Sequence, residues 1–237
     1  LDGTVVKVAG AYATPGFSGD GGAAISALLN EPTELALDAE GNLFVGEYGN
    51  ERLRKISPDG IITTVAGNGS GIGAPYSNYL EQGEHIATDV DLGRISALAT
   101  DNEGNVYIGN YERSVLKLSP DGKIIRVIGG IQSSNDYSGD GGPAIDATIS
   151  VPQAIAVDNL GQLHISEGGR VRYIDLNGVA RTRFLLGGAL YDINDIAFDS
   201  SNNLLIQDNS ELLKYSVGQR EVVAGRSSGA NIGYGLR

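Results

Sequence analysis

One segment recurs four times along this chain, and this repetition restricts the fold more than any other sequence feature. The four copies span residues 35–67, 98–130, 155–188 and 196–225. In each copy an aspartate closes the first short apolar run, and a glycine ends the copy. The aspartates are Asp38, Asp101, Asp158 and Asp199. The length from aspartate to glycine is nearly constant while the spacing between copies varies, which is typical of a structural module joined by tolerant surface loops.

Each copy has the pattern of four short β-strands separated by turns. In the first copy LALD and LFVGE flank the turn AEGN, and ERLRKI alternates polar and apolar residues, as a strand with one solvated face does. The SPDG that follows is a strong turn signal and recurs in the second copy. Such units are typical of β-propeller blades. We therefore predict an all-β fold, a single β-propeller domain over residues 1–237, with repeat units at about 31–67, 92–130, 151–188 and 190–225.

The repeats resemble the NHL-repeat family of β-propellers. The phrases GDGGPA, IAVD, GNLFV, NERLRKISPDG and ITTVAGNG carry this resemblance, which extends over most of the chain. NHL propellers usually have six blades, so the resemblance implies a ring of that size. This chain has four recognisable four-stranded blades plus an extra N-terminal strand, TVVKVAG at Thr4–Gly10. The sequence therefore predicts an incomplete ring unless further strands close it.

Composition and charge argue against several classes of partner. The formal net charge is −12 and the longest basic cluster is 52–55, which does not suit a nucleic acid. The apolar runs are too short to insert into a membrane. The chain contains no cysteine, which excludes disulfides and thiolate metal sites, and no methionine, which with Leu1 at its start indicates a processed form. Cations, carbohydrates or basic protein faces suit this acidic surface better.

A glycine-rich phrase precedes the first and third copies, as FSGDGGAAISALL from Phe17 and as YSGDGGPAIDATI from Tyr137. It follows one strand end and precedes the next unit, so it is predicted to connect neighbouring blades. We predict that Asp20 and Asp140 cap a helical turn there, and that the glycines allow the sharp approach to it. A phosphate loop would need a lysine or a longer glycine fingerprint, and a calcium loop would need alternating oxygen ligands. The phrase therefore favours a structural connection over a ligand loop.

Two acidic residues stand where NHL repeats normally carry a small residue. The four copies have, before the first strand, Glu34, Ala97, Ala154 and Asp195. The innermost strands of a propeller begin at its central channel, so Glu34 and Asp195 are predicted at the channel mouth. Arg94, Gln153 and Asn194 align close by. Two converging carboxylates can hold a cation or act as acid and base, and we predict a binding site at these five residues.

Tyr76 and Tyr79 complete the predicted binding residues. They lie in the long insert of residues 68–91 between the first and second copies. Tyrosines on an exposed rim favour contact with a protein or a carbohydrate, and packing onto a neighbouring blade is the alternative. The chain has two histidines, His85 and His164, so a three-histidine zinc site is excluded. We interpret His164 as a surface or packed strand residue.

These features predict an NHL-type propeller that acts as an extracellular, periplasmic or cell-surface scaffold for binding and protein interaction. Its partners would be proteins or carbohydrates, and self-association or missing blades would complete the ring. We expect no cofactor and no metal, and we favour a scaffold over an enzyme. The alternative is a metal-assisted hydrolase that resembles lactonase-like propellers, which implies calcium held by carboxylates at the central channel. Fold similarity alone does not decide between the two.

Overall fold

The computed structural model describes residues 3–70, 80–130, 137–185, 193–209, 211–216 and 219–225. In these ranges the chain forms four antiparallel sheets, one after another. Blade 1 contains β1 (Pro32–Leu37), β2 (Leu43–Glu47), β3 (Arg52–Ile56) and β4 (Ile62–Ala66). Blade 2 contains β5 (His85–Ile86), β6 (Ile95–Thr100), β7 (Val106–Asn110), β8 (Ser114–Leu118) and β9 (Lys123–Gly129).

The second half of the chain repeats this arrangement. Blade 3 contains β10 (Ala154–Val157), β11 (Leu163–Glu167), β12 (Arg170–Ile174) and β13 (Ala180–Leu185). Blade 4 contains β14 (Ile193–Phe198), β15 (Leu204–Asp208), β16 (Glu211–Ser216) and β17 (Gln219–Gly225). One-turn 3-10 helices lie in the connections into blades 1, 2 and 3, at Ala24–Ser26, Ala87–Asp89 and Ala144–Asp146.

The innermost strands of the four blades pack side by side. β1 lies against β6, β6 against β10, and β10 against β14. A separate apolar core fills each of the three junctions between successive blades. A single blade cannot bury both of its apolar faces, so stacking against neighbours supplies the core. The predicted all-β propeller with four-stranded antiparallel blades is confirmed.

The aspartate that recurs in each repeat has the same structural role in all four blades. After the innermost strand, Oδ1 of each aspartate accepts a hydrogen bond from the backbone N–H four residues later, at 2.7 to 2.9 Å. The aspartates are Asp38, Asp101, Asp158 and Asp199. Because an aspartate side chain can close such a turn by itself, the repeat carries its own first hairpin.

The glycine-rich phrase holds a buried arginine rather than capping a helix, so the predicted role of Asp20 and Asp140 is wrong. Oδ1 of Asp20 accepts a hydrogen bond from Arg54 at 2.8 Å, and Oδ1 of Asp140 accepts one from Arg172 at the same distance. Both arginine side chains are fully buried, and a buried charge without a partner is costly. The helical turns themselves are present, but no side chain caps them.

Blade 2 lacks both the glycine-rich phrase and the buried arginine. In blades 1 and 3 the arginine also contacts a fully buried glutamate that ends the second strand, Glu47 or Glu167. The corresponding residues of blade 2 are Asn110 and Leu116, so the charged group is replaced as a whole. At the outer edge of this blade, β5 adds a fifth strand against β9.

The extra strand predicted at Thr4–Gly10 joins none of the four sheets. Its last residue, Gly10, donates its backbone N–H to the carbonyl of Ala24 at 3.2 Å, but the segment forms no strand ladder with the described residues. Among the described residues, no helix is both long and apolar enough to cross a bilayer.

Candidate binding site at the upper face

We call the side on which the innermost strands begin the upper face. Pro32 at the start of β1 pairs with Glu47 at the end of β2, and Glu47 pairs with Arg52 at the start of β3. The turn between the second and third strands of a blade therefore lies on the same side as the start of its innermost strand. Blade 2 repeats this register. The sequence-predicted site residues that the structure describes all lie near the starts of innermost strands.

Glu34 and Asp195 both follow a register shift at the start of their innermost strand. Glu34 is half-buried and Asp195 is exposed. Burial, and then the negative charge of Asp195, raise the pKa of Glu34 to about 7. One carboxylate raises the pKa of another only when the two are near in space. Glu34 of blade 1 and Asp195 of blade 4 are therefore close together, although their blades are not adjacent in the sequence. Neither is in an ion pair among the described residues, so this part of the face is acidic and uncompensated.

Arg94 belongs to an aromatic cluster that the sequence interpretation did not include. Its Nη1 donates a hydrogen bond to the hydroxyl of Tyr48 at 3.0 Å, and its guanidinium lies 4.9 Å from the centre of that ring. The rings of Tyr48 and Tyr111 meet edge to face with centroids 5.6 Å apart. Both tyrosines come directly after the second strand of their blade, a repeated signal that could have identified them. Arginine and tyrosine together form an amphipathic surface of the kind found at interfaces.

The other predicted residues are placed less closely together. The backbone N–H of Gln153 donates to the carbonyl of Ser166 at 2.9 Å, and its side-chain Oε1 is buried without a partner among the described residues. The Asn194 side chain donates to Oδ1 of Asn209 at 2.9 Å. Tyr76 and Tyr79 lie outside the described residues. Ligand binding by any of these residues stays a prediction.

A second acidic group lies where blades 1 and 2 meet, and the sequence interpretation missed it. Glu51 is only 4% exposed, and its Oε2 has no hydrogen-bond partner among the described residues. Oε2 of Glu112 is also buried and without such a partner. Burial raises the pKa of Glu112 to about 7. A hydrogen bond from its own backbone N–H lowers this pKa, the charges of Glu51 and Asp91 raise it, and the charge of Arg94 lowers it. The sequence signal for this group is that Glu51 and Glu112 occur in the corresponding turns of two consecutive repeats.

His164 lies inside blade 3, away from the upper-face groups. Its ring stacks on Tyr173, meets Phe198 edge to face, and contacts Oδ2 of Asp158 at 3.3 Å. Burial lowers its pKa to about 4, assisted by the charge of Arg183. Its interpretation as a packed strand residue agrees with these contacts.

Within the described part of the chain, no three histidine or acidic side chains are arranged to hold one metal ion. The expectation of no metal, and the calcium alternative, both remain predictions. A cleft of about 650 Å³ lies between blades 1 and 2 near the turns that follow the innermost strands. Its lining includes Asp38, Lys55 and Pro120, so it is separate from the predicted site residues.

Comparison with protein families gives a match to the teneurin NHL domain over residues 131–208. Human teneurin-4 is 26% identical over 222 residues, covering 84% of this chain and 8% of that protein. Zebrafish teneurin-3 is 29% identical over 161 residues, covering 67% of this chain and 6% of that protein. The chain thus spans less than a tenth of the length of these relatives. The resemblance of its repeats to NHL propellers is confirmed.

Solved structures support the same fold. A streptogramin B lyase superimposes with a TM-score of 0.58 at 12% identity, covering 83% of this chain and 55% of that one. The extracellular domain of a putative hybrid two-component system from B. thetaiotaomicron gives a TM-score of 0.54 at 13% identity, covering 85% of this chain and 23% of that one. At such low identity these similarities establish the fold alone.

Proposed function

We propose that this chain, a β-propeller of the NHL type, is a protein-interaction scaffold that binds through the two free faces at the ends of its row of blades. One observation carries the proposal. Apolar side chains of the innermost strand of blade 1 and of the outer strands of blade 4 are more exposed than their buried counterparts at the junctions, although Val45, Ile56 and Ile62 on the same face of blade 1 are covered by the segment before that blade. The enzyme alternative, with Glu34 and Asp195 at the channel mouth, stays a prediction.

The first free face belongs to blade 1. Leu35 pairs with Val45 across β1 and β2, just as Ile155 pairs with Ile165 in blade 3 and Ile196 with Ile206 in blade 4. Ile155 and Ile196 face the preceding blade and are 6% and 4% exposed. The two leucines that occupy this face of β1 are Leu35 and Leu37, at 64% and 63% exposure. Among the described residues, no blade packs against these two leucines.

The second free face belongs to blade 4. Leu212 lies in the third strand of blade 4, opposite the next-to-last residue of the second strand. The residues at this position in the other blades are Leu53, Val115 and Val171, and each is fully buried against the following blade. Leu212 itself is half-buried, and Val223 on the adjacent β17 is 52% exposed. This face is therefore of the type that packs onto the first face of a following blade. The two ends of the row match each other in kind.

The segment Thr4–Gly10 supports the same proposal. Gly67 follows β4 and lies against the side chain of Leu92. Gly10 lies against the side chain of Leu29 in the same way. The segment thus has the position of a fourth strand of a blade before blade 1. Its Val5 is 96% exposed, and Val6 and Val8 are exposed as well.

The occupant that fits both faces is a blade of this same type. Removing a leucine or valine side chain from water stabilises an association by roughly 1.5–3 kcal/mol, and both ends offer several. An exposed edge is also a known route to strand pairing between chains. A second copy of this chain supplies the matching face, because its blade 4 end complements the blade 1 end.

Self-association measured by sedimentation velocity tests the proposal. We expect the wild-type chain to associate with increasing concentration, because burial of the free faces offsets the loss of translational freedom. The variant Leu35→Lys/Leu37→Lys and the variant Leu212→Lys should each remove the association, since each places a charge on one of the two faces.

Matched controls come from leucines in exposed turns. Leu160 and Leu176 are 63% and 70% exposed but lie between strands, outside the two faces. Leu160→Lys and Leu176→Lys should leave the association unchanged. A chain that stays monomeric at every concentration, or that associates equally well with lysines on both faces, would contradict the proposal.

We also propose an extracellular, periplasmic or cell-surface setting for this scaffold. Two observations support this setting. One structural neighbour is itself an extracellular domain, and exposed repeat scaffolds commonly present extended binding surfaces to partners. Fractionation of cells that express the natural full-length protein tests this setting.

A further inference from the structure

A second cleft, of about 540 Å³, lies between blades 2 and 3. It has the same position in its junction as the cleft between blades 1 and 2, because equivalent repeat positions line both. Phe44 and Tyr107 are equivalent in the second strand of their blades, and Lys55 and Lys117 are equivalent in the third. The stacking of two blades thus forms the cleft, and the side chains of each junction decide what it can hold.

The lining of the cleft between blades 2 and 3 is mostly apolar. Tyr107, Ala144 and Leu163 are at most 7% exposed, and Ile145 and Ile174 are half-buried. Clefts of roughly 300–1,000 Å³ with an apolar lining and a few polar groups are typical sites for small ligands. The side chains that we assign to the two free faces of the row of blades do not line this cleft, so it is a separate surface.

Lys117 is the charged side chain of this cleft that lacks a partner. It is half-buried, and its Nζ lies 5.7 Å from the centre of the Tyr107 ring. Among the described residues it forms neither an ion pair nor a hydrogen bond. A contact with an aromatic face leaves the three hydrogen-bond donors of an ammonium group unused. Lys117 can therefore donate to a ligand.

The repeat itself indicates which group such a lysine binds. Lys214 has the same repeat position in blade 4 and forms an ion pair with the repeat aspartate, Asp199, at 2.7 Å. In blade 2 the repeat aspartate is Asp101, and its Oδ2 accepts hydrogen bonds from Asn105 at 2.7 Å and from the Tyr107 hydroxyl at 3.3 Å. The lysine of blade 2 is left without the carboxylate that its counterpart in blade 4 has.

Two further charged side chains line the cleft, Asp175 and Arg126. Asp175 accepts a hydrogen bond from Nε of Arg181 at 2.8 Å, so its negative charge is compensated. Arg126 donates to the carbonyls of Leu80 and Ile145, each at 3.2 Å. Its hydrogen bonds are thus made within the chain, and it adds positive charge to the cleft.

We propose that the cleft between blades 2 and 3 binds a carboxylate that carries an apolar body. Lys117 donates to the carboxylate, and the apolar lining covers the body. Such a ligand gains a charge-assisted hydrogen bond and the burial of apolar surface together. A free aliphatic acid and the C-terminus of a peptide that ends in apolar residues share this chemistry.

The cleft between blades 1 and 2 is the natural comparison. Lys55 occupies the equivalent position there, but Glu40, Glu103 and Asp121 line the same cleft and are exposed. These carboxylates repel an anion, so we expect this cleft to bind the same ligand far more weakly.

A titration of the full chain with octanoate, followed by amide NMR, tests the proposal. We expect saturable shifts at Val127, Ile145 and Leu163, which line the cleft. Lys117→Gln should weaken binding by at least about tenfold, because it removes a hydrogen bond between charged groups. Lys117→Arg keeps the charge and should retain binding. Octanamide has the same apolar body without the charge, and it should bind the wild type and Lys117→Gln equally weakly.

A second ligand pair distinguishes the two sources of the carboxylate. It is an acetylated tetrapeptide that ends in two leucines, with either a free or an amidated C-terminus. Tighter binding of octanoate assigns a free acid as the ligand, and tighter binding of the peptide with a free C-terminus assigns a peptide. Both results support a site for an apolar carboxylate.

Lys55→Gln is the matched control, because it removes the equivalent lysine from the other cleft. It should leave the affinity for octanoate unchanged. Equal binding of octanoate by the wild type and Lys117→Gln would overturn the proposal. So would octanamide that binds as tightly as octanoate, or the absence of saturable shifts at the cleft with both carboxylates at millimolar concentration.

Discussion

Replacing Arg54 with leucine is expected to lower the free energy of unfolding by about 3 kcal/mol, because it leaves Glu47 buried without its cation. The Arg54 side chain is fully buried, lies 3.3 Å from Oε2 of Glu47, and donates to Asp20 and to the carbonyl of Ser18. Its guanidinium also lies 4.9 Å from the Phe17 ring. The phrase FSGDGG thus supplies three of the groups that hold this arginine.

The double variant Glu47→Asn/Arg54→Leu should recover most of that loss. Blade 2 folds with this pair already in place, as Asn110 and Leu116. Removing both charges avoids the uncompensated carboxylate, so we expect a coupling energy of about 2 kcal/mol in a double-mutant cycle.

Urea unfolding of the three variants measures this coupling. Arg181→Leu is the control, because its ion pair with Asp175 is at the surface and 47% of the arginine side chain is exposed. Its loss should cost at most about 1 kcal/mol. Additive effects of Glu47→Asn and Arg54→Leu would contradict the account of a linked buried group.

Alanine at Gly129 is expected to destabilise the chain by about 3 kcal/mol, through both backbone strain and a steric clash. Gly129 ends the second repeat with φ of +76°, and an added Cβ would overlap the carbonyl oxygen of Arg113 in the turn before β8. Gly67 is in the same situation against the carbonyl of Glu51. In blades 1 and 2 the glycine at the end of the repeat is therefore required by the close approach of its own blade's turn.

Gly122→Ala separates the two causes. Gly122 has φ of +81°, but an added Cβ would meet nothing within 4 Å. Its replacement should cost only about 1 kcal/mol from backbone strain. Thermal unfolding of both variants gives the comparison, and equal losses at the two glycines would contradict the steric explanation.

Most of the fold could be predicted because its determinants are local and repeated. The aspartate turn after each innermost strand uses residues four apart, and the SPDG turn uses four consecutive residues. Such signals are visible in one copy and reinforced by the others. The alignment of the repeats also locates the starts of β1 and β14, and it therefore places Glu34 and Asp195 at equivalent positions of their blades.

Interactions between distant residues could not be predicted in this way. The sequence around Asp20 favours a helix-capping role because a helical turn follows it directly, whereas its actual partner, Arg54, lies 34 positions away. The proximity of Glu51 to Glu112 depends on how two blades stack. Leu35 is exposed because no blade among the described residues packs against its side of β1. An apolar strand has the same sequence pattern whether or not a blade covers it, so the sequence does not predict this exposure.

Backbone hydrogen exchange at Val5, Val6 and Val8 tests most directly whether a blade position before blade 1 stands empty. In dilute solution, we expect these amides to exchange freely while those of β4 and β9 stay protected by their strand neighbours. The three amides should gain protection as the concentration rises and the free faces become covered. Strong protection of all three in a monomeric sample would contradict the account, because this segment would already have a strand beside it.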